Sequence, residues 1–299
     1  MSFVDLPLQP PLNPAADIYA DQCLALSKAA IAEHPMRTTF DVPYGEDYWQ
    51  KLDVFAPPEG GRDLPVLVFF HGGGWTHGYK EWCGFMAPVL LETPAILVSV
   101  SYRLLPQAQF PAPLEDAWSA LRWVHRHIAG FGGDPQRLHV GGHSAGGQLA
   151  SMLAVRHEQW PSHGLPSDAI KACFCISTTF NRRVVNEAIA PHLVTGEDPD
   201  AVSPEASLHF AGQAKVPFLI IWGGQENPRY PKFSQVMVER LRAAGCDVRS
   251  WCVEDSGHFD IHLDTGEARN PWTRAVRSFM RDATFGVTPN QARLVRQPQ

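Results

Sequence analysis

No stretch of the chain approaches the roughly 20 consecutive apolar residues needed to cross a membrane. The longest apolar runs reach only about six to eight residues, so no membrane partner is expected. Nor is there a block of Lys or Arg. Basic residues number 25 against 31 acidic ones, a net charge of −6, and the basic footprint of a nucleic-acid binder is missing. The opening MSFVDLPLQPP has no basic region leading into an apolar one, so no secretory signal is expected. Cysteine is sparse: six residues, Cys23, Cys83, Cys173, Cys175, Cys246 and Cys252, with no C-x-x-C pair. Such usage fits reduced thiols in a cytoplasmic protein rather than a disulfide framework. There is no H-E-x-x-H and no cysteine pair at zinc spacing, and His125 and His127 stand two apart on a predicted helix, on different sides. No metal and no cofactor are therefore expected.

What is present is a repeated alternation. Short runs apolar throughout, PVLVFF, AILVSV, LHVGG, ACFCIS and VPFLIIWG, are separated by stretches of helical period. Strands buried on both faces read this way, as in a parallel sheet covered by helices. SWCVED adds a further strand, and FDVPYG with YWQKLDVFAP suggests an antiparallel start to the sheet. Ala117, Ala120, Leu121, Val124 and Ile128 share one helical face, with Gly130 as the stop. Phe233, Val236, Met237 and Leu241 do the same before Gly245, and a first helix begins with Asn13 as cap and Pro14 in its first turn. The pattern predicts a doubly wound, mostly parallel α/β sheet.

A length of 299 residues would allow two domains at about 150 residues each, but the order of the motifs predicts one domain over 1–299. Residues 178–212 break the rhythm and read as an insertion over the carboxyl edge of the sheet, where ligands bind in such folds. With residues 1–35 they would form a small helical lid. The polar residues 286–299 read as a loose tail.

Gly142-His143-Ser144-Ala145-Gly146 fits G-x-S-x-G between a strand and a helix. In that frame a serine sits exposed on a strained turn, and small neighbours let strand and helix approach. Ser144 is the candidate nucleophile. His71-Gly72-Gly73-Gly74-Trp75 follows the strand PVLVFF. It is no phosphate loop, because no G-K-[ST] follows. The amides of Gly73 and Gly74, with that of Ala145, are candidate oxyanion donors. Serine needs a base and an orienting acid. Among 13 histidines, His258 is the candidate base, being in a loop after the late strand SWCVED. Glu226, just after VPFLIIW, is the preferred acid, with Asp255 or another carboxylate as the alternative. Trp75, Tyr79 and Trp82 are candidates to line a pocket, packing of a surface helix being the other reading of them.

These residues resemble the hormone-sensitive-lipase-like branch of the α/β-hydrolases. The resemblance rests on HGGGW, Ser101-Tyr102-Arg103-Leu104-Leu105-Pro106, Phe110-Pro111-Ala112, Asp116-Ala117 and Gly142 through Gly147, and covers roughly residues 38–280. Within that branch, Val42-Pro43-Tyr44-Gly45, Leu52-Asp53-Val54-Phe55, GHSAGGQL, Val185-Asn186-Glu187 and Ser203-Pro204 are similar to the kynurenine formamidase (arylformamidase) group. The resemblance implies an α/β-hydrolase fold, a serine mechanism on a small ester or amide, and an acid at Glu226. A non-catalytic receptor or scaffold on the same fold is the alternative, and a homodimer is left open.

Overall fold

The computed structural model describes residues 3–181, 203–208 and 215–284. Its strands are β1 (Arg37–Pro43), β2 (Lys51–Ala56), β3 (Leu64–Phe70), β4 (Ile96–Val100), β5 (Gly133–His143), β6 (Ile170–Ile176), β7 (Phe218–Gly223) and β8 (Val248–Val253). They form one sheet in the order β1-β2-β4-β3-β5-β6-β7-β8. The pairs β1–β2 and β2–β4 are antiparallel, and all the later pairs are parallel.

The apolar runs are apolar throughout because both faces of the sheet are covered. In β3, Val66, Val68 and Phe70 face one core, while Leu67 and Phe69 face the other. The first core is closed by α3 (Ala112–His127), α4 (Ala145–Val155) and α5 (Arg229–Ala243). The second is closed by α1 (Pro14–Glu33), a 3-10 segment over Lys80–Met86 and α2 (Ala87–Leu91), together with a C-terminal helix. Cys173 and Cys175 share the first core, their sulfurs 3.6 Å apart.

Local signals set the helix ends. Asn13 Oδ1 accepts the Ala16 amide at 3.0 Å and Pro14 opens α1. Ala117, Ala120, Leu121 and Val124 of α3 are buried together, but Gly130 is not the stop. A 3-10 turn over Ile128–Phe131 follows, and Gly132 closes it at φ 90°. Its left-handed backbone is what the terminating residue needs. After the short α6 (Asp260–Leu263) comes a helix outside the elements assigned by the sequence pattern, α7 (Pro271–Asp282). Its cap was readable: Asn270 Oδ1 accepts the amides of Trp272 and Thr273 at 2.9 and 3.3 Å.

Of the expected lid insertion 178–212, residues 182–202 and 209–214 lie outside the described residues, as does the expected tail 286–299. The N-terminal segment is described from Phe3 and packs beside the carboxyl ends of the strands. Gln9 spans the Gly78 peptide, donating to its carbonyl at 3.2 Å and accepting from its amide at 2.9 Å. Tyr79 donates its hydroxyl to the Pro7 carbonyl, and His77 Nε2 donates to that of Pro10 at 2.7 Å. Among the described residues no helix is long and apolar enough to cross a membrane.

Candidate active site

Strand β5 ends at His143 and α4 begins at Ala145, so Ser144 alone makes the turn, at φ 52° and ψ −115°. A non-glycine residue pays for that backbone, and sharp turns of this kind concentrate at functional sites. The flanking glycines are there for space. A Cβ on Gly142 would sit 2.3 Å from the Gly146 carbonyl carbon, and one on Gly146 would sit 2.1 Å from the Phe70 oxygen.

The end of β7 and the end of β8 bring two more side chains to Ser144. Their loops are stitched together: the Gly224 amide donates to Val253 O at 2.9 Å and the Gln225 amide to Ser256 O at 3.1 Å. His258 Nε2 lies 3.0 Å from Ser144 Oγ, and His258 Nδ1 lies 2.7 Å from Glu226 Oε2. The other carboxylate oxygen, Oε1, accepts the Gly223 amide at 2.7 Å and the Ser177 hydroxyl at 3.0 Å. The Glu226 side chain is fully buried, so these donors replace water around its charge. Asp255 is exposed, and among the described residues the His258 ring is bonded to Glu226 and Ser144, not to Asp255. This chain of bonds can move the serine proton to the imidazole as the oxygen attacks a carbonyl.

Gly73 and Gly74 line the same cavity as Ser144 and have left-handed backbone, at φ 112° and 62°. At Gly73 a Cβ would lie 2.1 Å from the His77 carbonyl oxygen, so only glycine fits. Ala145 is the first residue of α4, where the N–H has no intrahelical acceptor. Behind the loop, His71 stacks on Tyr102 at 4.4 Å and donates from Nδ1 to the Gly72 carbonyl at 2.7 Å. Burial lowers the His71 pKa to about 4. Tyr102 donates to the His71 carbonyl at 2.8 Å, and Arg103 is held by Asp116 at 2.7 Å. The Ser-Tyr-Arg and Asp-Ala motifs therefore support the loop from beneath.

The pocket expectation needs one correction. Tyr79 and Trp82 do line the cavity, but Trp75 does not. Trp75 also has a left-handed backbone, φ 62°, and its indole is buried, donating to Gln148 Oε1 of α4 at 3.1 Å. The turn aims it into the core, where it pins the glycine loop to α4.

The cavity has a volume of about 710 Å³ and is walled by the N-terminal segment Leu6–Leu12, residues of α1, Tyr230 and Phe259 as well as the residues above. Tyr230 stacks on His258 with ring centres 4.2 Å apart. A second hydrogen-bonded chain, absent from the sequence reading, reaches His258 from behind. His143 Nε2 donates to the His258 carbonyl at 2.8 Å. Burial drives the His143 pKa well below normal, so the ring is neutral and Nδ1 is an acceptor. Tyr19 of α1 lies 3.2 Å from that nitrogen and donates to it. The single Tyr19 proton is thereby committed, so His262 Nδ1, 2.8 Å away, donates to the Tyr19 oxygen. This leaves His262 Nε2 as an acceptor, and it has no partner among the described residues. Only the helical spacing of Tyr19 and Cys23 hinted that this tyrosine faces inward. Among the described residues no group of three or more His, Cys, Asp or Glu could hold a metal ion.

A family model for the alpha/beta hydrolase fold matches residues 67–261. The chain belongs to the α/β-hydrolase family. It is 30% identical over 238 residues to a kynurenine formamidase from Danio rerio, covering 75% of this chain and 76% of that one. It is 44% identical over 102 residues to carboxylesterase NlhH from Mycobacterium tuberculosis, covering 34% of this chain and 32% of that protein's length. Among solved structures, an esterase from Pyrobaculum calidifontis superimposes with a TM-score of 0.68 at 25% identity, covering 92% of this chain and all of that one.

Proposed function

We propose that this protein is a serine hydrolase acting on a small carboxylic ester or aryl amide, of the carboxylesterase or arylformamidase type. The observation that carries the proposal is the unbroken Ser144–His258–Glu226 hydrogen-bond chain opening on the cavity beside the glycine loop. Ser144 Oγ attacks the substrate carbonyl while His258 Nε2 takes its proton. The amides of Gly73, Gly74 and Ala145 hold the resulting oxyanion. His258 then protonates the departing alcohol or amine, leaving an acyl-Ser144. Water activated by the same imidazole hydrolyses it. Glu226 holds the ring in the tautomer with its proton on Nδ1 and offsets the charge of the imidazolium. Tyr79, Trp82 and Tyr230 give the cavity aromatic walls, which favour an aryl group in the substrate.

The test is covalent labelling with a fluorophosphonate, read by intact mass, followed by a turnover panel. The wild type should gain one adduct on Ser144, and Ser144→Ala should lose both labelling and turnover of 4-nitrophenyl acetate. Labelling of the Ser144→Ala variant at another residue would overturn the assignment. Comparing N-formylkynurenine with short aryl and alkyl esters decides between formamide and ester; the substrate with the highest kcat/KM names the class.

A further inference from the structure

Arg229 opens α5, three residues after Glu226, and lines the same cavity as Ser144. Its guanidinium carbon lies 5.1 Å from the centre of the Tyr230 ring, which stacks on His258. Several other partly or fully buried cations of the described residues are matched by carboxylates, among them Lys80 by Asp41 and Asp53, Arg103 by Asp116 and Arg277 by Glu92. Arg229 is not. Its Nε–H is buried and has no hydrogen-bond partner among the described residues. Its backbone N–H is taken by Asn227 Oδ1 at 3.1 Å, but this leaves the planar donor fork unused.

Among the described residues two acidic side chains also face the cavity, both on α1. Asp17 already accepts the Leu12 amide at 3.0 Å, and Asp21 is exposed. They disfavour an anion along the α1 wall and leave the Arg229 wall as the place for one.

We propose that Arg229 binds a carboxylate carried by the substrate, so that the preferred substrate is an ester or amide bearing an anionic group. The inference rests on the serine-hydrolase reading above and narrows it. A bidentate guanidinium–carboxylate pair in a partly desolvated cavity is worth about a 10- to 100-fold preference over a neutral isostere.

The experiment compares kcat/KM for mono-4-nitrophenyl glutarate with that for its neutral methyl ester, and includes a quaternary-ammonium ester as the cationic arm. The wild type should favour the anionic ester by about tenfold or more, mainly through KM, and the advantage should shrink in about 0.5 M salt. Arg229→Gln should collapse the anionic-to-neutral ratio towards one, and Arg229→Lys should keep part of it. A wild type without this preference, a ratio that survives Arg229→Gln, or a preference for the cationic ester overturns the proposal. If no ester turns over and Ser144 is not labelled, the hydrolase reading falls instead. The anion site is then judged by binding. 4-Phenylbutyrate, but not 4-phenylbutyramide, should raise the Tm of the wild type and not of Arg229→Gln. Equal effects of the two compounds refute the site.

Discussion

Acidification should unfold this protein through its buried histidines. His71, His139, His143 and His262 are all buried, and burial is the main cause that lowers each pKa: to about 4 for His71 and His139, about 3 for His262, and well below normal for His143. A histidine held neutral in the folded state contributes stability that is complete above its unfolded pKa of about 6.5 and is lost as pH falls toward the folded value. At pH 5.5 the unfolded chain therefore holds close to one proton more per ring than the folded one, and each ring has forfeited roughly 1–2 kcal/mol relative to pH 8. Asp53 works the other way, since burial pushes its pKa up to about 6 against the pull of Lys80. It returns about 1 kcal/mol at pH 5.5. The net loss is about 4–5 kcal/mol, against a total stability of about 5–15 kcal/mol for a folded domain. Urea unfolding followed across this range should show stability falling by about 4 kcal/mol per pH unit near pH 5.5. His139→Asn, whose amide can still donate to the Val66 carbonyl that His139 Nδ1 reaches at 3.1 Å, should lower that slope by about 1 kcal/mol per pH unit. Equal stability at pH 8 and pH 5.5, or an unchanged slope in the variant, would refute the reasoning.

Other substitutions separate the parts of the site. Glu226→Gln keeps the shape but removes the charge that holds the His258 tautomer, so kcat should drop by about 10⁴-fold with labelling of Ser144 slowed in parallel; a loss below tenfold would mean another group orients the ring. Tyr19→Phe strands the Nδ1 atoms of His143 and His262, and should cost about 1–3 kcal/mol in urea without a change in m. An unmoved midpoint would show that the hydroxyl contributes nothing. Trp75→Phe loses the Gln148 bond, so it should cost about 1–3 kcal/mol of stability while the substrate ranking stays as in the wild type. Trp82→Phe, at the cavity wall, should alter KM values instead, and the reverse pattern would restore Trp75 to the pocket.

The contrast between Trp75 and Trp82 shows which information is local. Strand runs apolar on every residue, an Asn-Pro cap and a serine between glycines each state their role within a few residues. Sheet burial, helix initiation and the strained turn are all short-range consequences of side-chain shape. The antiparallel start, the parallel remainder and the carboxyl-edge location of Ser144 follow from such signals. Trp75 falls outside the cavity because position in sequence, directly after the glycine loop, does not convey direction. Its left-handed backbone turns the indole into the core, and only the path of the whole loop decides that.

Tertiary structure alone brings together groups far apart in the chain. The stitching of the β7 and β8 loops puts the Glu226 carboxylate on the His258 ring, although Asp255 is closer in sequence. The N-terminal helix supplies Tyr19 to His143 across 124 positions, and that contact reaches the backbone of His258. Arg229 becomes significant only because no carboxylate among the described residues meets it in the cavity. The residue types of the candidate triad are set locally by the motifs. Which acid faces the ring, which aromatic lines the cavity and which cation is left unpaired depend on long-range packing, because each is a relation between surfaces that meet only when the sheet is assembled.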